Sequence, residues 1–147
     1  MNNPGGALTP LTPIEERPIT VAEAKKFAST RELSIHPDYA APKGWIHCRV
    51  DPRQLYNMYG AIGPVEAFKG ELLCNIPRSA LDAAAAVNEE FGQKVYTLRA
   101  DLAAVVFQGP SGRGYAGDGN KRTLNACLRN VDWIEAILVP VDVDWAE

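Results

Sequence analysis

Residues 103–126 read AAVVFQGPSGRGYAGDGNKRTLNA, from Ala103 to Ala126, and the fold class turns on this stretch. Ala103 to Gln108 is an apolar, β-branched run of strand length. Gly109-Pro110-Ser111-Gly112 supplies the residue types of a tight turn, so Gly114 to Gly117 begins a return strand. That strand runs into the loop Gly117-Asp118-Gly119-Asn120-Lys121-Arg122. Thr123 to Asn130 then reads as helix, and Trp133 to Val141 as a final apolar strand. From Leu102 to Val141 the order is strand, hairpin, strand, loop, helix, strand. The fold class expected is α/β (α+β), a small mixed sheet with flanking helices.

Upstream, Trp45 to Val50 alternates apolar and polar residues as a half-buried strand does. Asp51-Pro52 offers an N-cap followed by proline at the first helical turn, so a short helix is expected to end near Tyr59, before Gly60. Residues 60–70 carry glycines and a proline and read as a mobile or functional loop, and Glu71 to Ile76 as a strand. Ser79 to Phe91 is the clearest helix: Ser79 caps it, alanines fill it and Gly92 closes it. Lys94 to Leu98 reads as a short strand. Thr20 and Glu23 form a capping box for a helix from Val21 to about Ser29, and residues 34–44 are loop. Residues 1–18 hold Pro4, Pro10, Pro13 and Pro18 and read as a flexible arm with little helix or sheet. Residues 19–147 form one domain.

The chain has 147 residues, 46% hydrophobic and 22% charged, with a net charge of −3. A real core can form, while a general grip on duplex DNA would call for a basic excess. No apolar run approaches the roughly 20 residues of a membrane span, and no basic-then-apolar start marks a signal peptide. A cytoplasmic working site is expected, or delivery as an effector or toxin domain. Cys48, Cys74 and Cys127 lack CxxC spacing and read as reduced core thiols. With only His36 and His47 beside them, neither zinc nor haem is expected.

The chemistry concentrates in Gly117-Asp118-Gly119-Asn120-Lys121-Arg122-Thr123. Glycines let an anion approach backbone amides, and Asp118 or Asn120 can cap the next helix. Free amides at that helix start favour negative charge. Lys121 adds a point charge and Arg122 a bidentate fork for phosphate oxygens. Composition alone equally allows a plain glycine turn with two solvated cations. The GxxxxGK[ST] spacing of a Walker loop is absent.

The run from Ala103 to Ala126 resembles the ParB/sulfiredoxin superfamily, in which strand, turn and strand lead into a G-E-R-R or D-G-N-H-R loop, then an alanine-bearing helix and a strand. Asn75-Ile76-Pro77-Arg78 is similar to that family's Asn-Pro-Arg segment, and the likeness spans residues 75–141. The resemblance implies a nucleotide or short nucleic acid at the loop, with Arg122 as the matching arginine. It further implies phosphoryl transfer or phosphodiester or nucleotide hydrolysis, with Mg2+ accompanying the nucleotide. Sulfinic acid reduction, which needs a loop cysteine, is not implied, because Asn120 stands there. Asp118-Gly119-Asn120-Lys121-Arg122-Thr123 is also similar to the Fic/Doc motif HxFxDGNKRT. Gly114 and Ala116 stand where that family has its histidine base and its phenylalanine, so a diverged relative is the alternative.

Among acids able to hold a metal or serve as base, Glu71, Glu66, Glu89, Glu90 and Asp118, the preferred candidates are Glu71 and Asp118. Arg78, ahead of a helix start, joins the phosphate-binding set. Trp45, Tyr56 and Tyr59 could stack a base, with core packing the simpler role. His36 and His47 read as surface or core histidines, with His47 able to reach the loop in space. The metal ligands and the oligomeric state are unknown from sequence.

Overall fold

A computed structural model describes residues 10–20, 23, 44–57, 63–97, 103–118 and 120–141, with the backbone alone for Glu66 and Asp118. Six strands form one mixed sheet: β1 Ile14–Ile19, β2 Trp45–Val50, β3 Leu55–Asn57, β4 Ala104–Gln108, β5 Gly114–Asp118 and β6 Ile134–Pro140. Their spatial order is β1-β2-β6-β4-β5-β3. β4 lies inside the sheet, parallel to β6 (Ala104↔Ala136 through Gln108↔Pro140) and antiparallel to β5 (Phe107↔Tyr115). Its first four residues are buried, as a strand covered on both faces requires.

Alternation along the strands sorts the core into two layers. Ala104, Val106, Ala116, Ala136 and Leu138 face the helices α1 (Arg78–Val87), α2 (Glu89–Thr97) and α3 (Asn120–Leu128). Those helices contribute Leu81, Ala84, Phe91, Val95 and Leu124. Three alanines on adjacent strands keep this face low, so the helices lie close to the sheet. The opposite face carries large side chains, Trp45, Tyr56, Phe107 and Tyr115, with Val105, Ile137 and Val139. Among the described residues no helix lies on that face. The mixed α/β class read from the sequence is the class observed, and 104–108 and 134–140 are strands.

Several local expectations are overturned. Residues 14–18 of the expected arm form, with Ile19, edge strand β1, antiparallel to β2, because Ile14 and Ile19 are half-buried at its two ends and anchor it. Residues 1–9 lie outside the described residues. Asp51 does cap, its carboxylate accepting from Arg53 N at 2.9 Å, but it caps only the 3-10 turn Pro52–Gln54. Leu55 and Tyr56 then point into opposite core layers, which a strand permits and a helix does not. Glu71–Ile76 is not a strand: Leu73–Asn75 is a 3-10 turn, and a single bridge, Tyr56↔Leu72, joins it to β3.

The helix expected over Ser79–Phe91 begins at Arg78 with Pro77 as its N-cap residue, and it breaks at Asn88, whose Oδ1 accepts from Phe91 N at 2.9 Å. Gly92 therefore sits inside α2. A Cβ there would lie 2.9 Å from the Ala85 Cβ, so the glycine sets the α1–α2 approach rather than ending a helix. Lys94 to Thr97 is helical because Phe91 and Val95, four apart, both bury completely. Glu89 and Glu90 open α2 rather than end a helix. The Thr20–Glu23 capping box is present, Thr20 N donating to Glu23 at 2.9 Å and Glu23 N to Thr20 Oγ1 at 3.2 Å. The rest of the helix expected there lies outside the described residues.

Two of the three cysteines are not reduced. Cys74 of the 3-10 turn and Cys127 of α3 form a disulfide with Cα atoms 5.3 Å apart. Their separation of 53 residues makes no sequence motif; α3 folding back against the turn brings them together. Cys48 remains a free, buried thiol, pushed up to about 12 by burial, then by the charges of Glu16 and Glu135. Reduction should therefore act on the one bond and lower unfolding stability by about 4 kcal/mol on the chain-entropy relation. Urea denaturation with and without reductant measures this, and an unchanged midpoint would show the crosslink to be energetically idle.

Candidate functional site

The loop is launched by an irregularity in β5. Ala116 pairs with Val106 and Asp118 with Val105, leaving Gly117 as an extra residue, a bulge at the end of the strand. The Phe107 ring lies over this glycine: a Cβ on Gly117 would sit 2.6 Å from Cδ2 and closer still to Cε2. Only a glycine lets the bulge form against that ring. Bulges bend a strand and re-aim the residues beyond it, and here the chain passes from β5 into α3 within two residues.

Asn120 is the first residue of α3, with Lys121 and Arg122 in the same turn. Asn120 Nδ2 donates back to Ala116 O at 3.2 Å, so its amide ties the loop to the strand. Its Oδ1 is buried and takes no hydrogen bond from a described residue. Lys121 and Arg122 are half-buried, and Arg122 Nε and Nη1 are sheltered from solvent. Thr123 is completely buried. Gly119 lies outside the described residues.

Glu71 comes to the same end of the sheet through the backbone. β3 runs parallel to β5 with Asn57 opposite Ala116, and Asn57 N donates to Glu71 O at 2.7 Å. The Glu71 side chain is exposed. Asp118, closing β5, shares that end. Arg78 is committed elsewhere among its described contacts: its Nε lies 3.2 Å from Asp82 Oδ1 and its guanidinium 4.6 Å from the Tyr96 ring centroid. Tyr96 Oη donates to the same Asp82 oxygen at 2.5 Å, and both contacts hold the Asp82 carboxyl below its ordinary range, the Tyr96 bond most. This cluster clasps α1 to α2. Trp45 and Tyr56 are core residues; Tyr59 and His36 lie outside the described residues. No group of three or more His, Cys, Asp or Glu side chains among the described residues could hold a metal ion. No helix among them is long and apolar enough to cross a membrane.

His47 lies on the sheet face away from the helices. Its Nε2 is 2.8 Å from Glu135 Oε1 and its Nδ1 2.8 Å from Arg17 Nη2. Glu135 Oε2 accepts from Arg49 Nε at 2.8 Å, and Arg49 Nε stands 3.5 Å from Glu15. Sequence reading passed over Arg17, Arg49 and Glu135. They share a face only once Arg17 is set opposite His47 and Arg49 opposite Glu135. Comparisons with family models, curated proteins and solved structures found no match for this chain.

Gly117 separates structure from ligand. Gly117→Ala should destabilise the ligand-free protein by about 1–3 kcal/mol through overpacking on Phe107, and Phe107→Leu in the same chain should restore part of the loss. A thermal melt that leaves Gly117→Ala at wild-type stability would show that the bulge does not require glycine.

Proposed function

We propose that the loop from Gly117 to Thr123 binds a phosphate-bearing ligand, a nucleotide or the end of a short nucleic acid, in the manner of the ParB/sulfiredoxin superfamily. The observation that carries the reading is the junction itself. A glycine bulge is separated by two residues from the first turn of α3, whose start carries Asn120, Lys121 and Arg122 at the positive end of the helix dipole. The partial shelter of Arg122 strengthens its electrostatic contribution, because screening by water is weaker there. Buried Thr123 and Arg78, which already contacts Asp82 and Tyr96, carry less of this reading than Asn120, Lys121 and Arg122.

Strands at 104–108 and 114–118 ahead of the loop weigh against the Fic/Doc alternative, which implies helices there. Catalysis on this reading is phosphoryl transfer or phosphodiester or nucleotide hydrolysis. Arg122 and Lys121 offset phosphate charge, and Glu71 or Asp118 supplies the acid. Mg2+ would arrive with the nucleotide, held by one or two carboxylates and the phosphates. A disulfide persists in oxidising surroundings and is uncommon in the cytosol, so delivery as an effector or toxin domain is favoured over a cytoplasmic site.

A thermal-shift screen of nucleoside mono-, di- and triphosphates, with and without Mg2+, finds the ligand. Arg122→Ala should then weaken binding by about 1.5–3 kcal/mol, the scale of a charge-assisted hydrogen bond, and Lys121→Ala by less. Arg122→Ala should also cost some stability, because part of that guanidinium is buried; affinity is therefore measured by calorimetry on the folded protein. Equal affinity in wild type and Arg122→Ala would reduce the loop to a turn. Where turnover is found, Glu71→Gln should abolish it and leave binding within about twofold, since an exposed acid adds little to affinity. Unchanged turnover removes Glu71 from the mechanism.

A further inference from the structure

Glu15, Arg17, His47, Arg49 and Glu135 line a cavity of about 320 Å³ on the sheet face away from α3; Cys48, a residue of the helix-side core, also borders it. Its polar groups form a directed chain. A guanidinium can only donate, so His47 Nδ1 must accept from Arg17 and carries no proton. The ring proton therefore resides on Nε2 and is donated to Glu135 Oε1. Glu135 has its other oxygen on Arg49, so it fixes both the orientation and the tautomer of the imidazole. The backbone is bent to serve this cavity. β1 carries a register shift between Ile14 and Arg17, and Glu15 sits at φ 55°, a left-handed conformation unfavourable for glutamate. That bulge sets Arg17 opposite His47 and puts Glu15 beside Arg49.

We propose that this cavity is a second ligand site, independent of the loop, for a small oxyanion that also bears a hydroxyl: an α-hydroxycarboxylate or hydrogen phosphate. Hydrogen-bond complementarity selects this class. Whatever enters between Arg17 Nη2 and His47 Nδ1 must offer an acceptor to the guanidinium and a donor to the imidazole lone pair. A hydroxyl-bearing oxyanion offers both. A simple carboxylate offers acceptors alone and sets its oxygen against the Nδ1 lone pair. Exchange is favourable because an arginine binds an oxyanion, often through two bonds, more strongly than it binds a neutral ring. The charged groups at the cavity, Arg17 and Arg49 against Glu15 and Glu135, balance, with Glu16 adding its field at Cys48. A plain anion therefore gains little from net charge, and the donor–acceptor pattern decides.

The test is 15N NMR of the His47 ring at about pH 8, above the ordinary histidine range, in wild-type protein titrated with glycolate, acetate or inorganic phosphate. The free ring should show its proton on Nε2. Glycolate, hydrogen phosphate or both should shift Nδ1 saturably, and which of them does so names the source. Acetate should bind at least about tenfold more weakly, one lost hydrogen bond. Arg17→Ala should abolish the response while the tautomer persists. Arg122→Ala should leave it unchanged, so the two sites fail separately. A proton on Nδ1, equal responses to glycolate and acetate, or no response at His47 to either glycolate or phosphate overturns the proposal.

Discussion

The double burial of strand β4 governs the layout of the whole molecule. Ala104, Val105 and Val106 are wholly buried and Phe107 nearly so, and β4 pairs with β6 along one edge and β5 along the other. A strand in that position has no polar face, so its side chains divide between two cores. The small ones meet the helices, and the large ones meet the aromatic layer. Because β6 pairs with β4 on the side away from β5, the chain cannot form a hairpin from β5 into β6. It passes over β4 by way of α3, and that path places the start of α3 and its disulfide-bearing end on the helix side of the sheet.

Phe107 carries this constraint to the candidate site. It is almost wholly buried in β4, and its ring occupies the space a side chain at position 117 would need. Gly117 is therefore demanded twice, once by the ring and once by the bulge that turns the chain into α3. The glycine of a phosphate-loop pattern is here also a packing glycine. Its presence alone does not distinguish a ligand site from a tight junction, because the ring by itself already excludes a side chain there.

The periphery is secured differently on the two faces. On the helix side, Cys74–Cys127 ties the segment after Glu71 to α3, and Asn125 bridges from Val95 O to Arg129. On the other side β1, an edge strand mostly exposed, is held to β2 through Arg17 on His47, with Pro18, Glu15 and Glu16 discouraging further strand addition. Polar side chains with fixed donor and acceptor roles thus do at this edge what apolar burial does at the centre.

Much of this was legible in the sequence where local pattern and tertiary demand agree. The strands at 45–50, 104–108 and 134–140, the hairpin at Gly109–Gly112 and the loop with its helix follow from apolar periodicity and turn residues, which depend on near neighbours in the chain. The cations of the loop were legible for the same reason. Features that depend on partners far apart emerged only with the assembled fold. Leu55–Asn57 became a strand because β5 had an edge to fill, and 14–19 became β1 because β2 did. The apparent helix end at Gly92 became a close helix contact with Ala85. Cys74 found Cys127 across 53 residues, and His47 met Arg17 and Glu135 through strand register alone. Local order along the chain thus specified the elements whose stabilising contacts are local; the pairings, the crosslink and the second polar cavity awaited the fold, because long-range proximity leaves no period in a single chain.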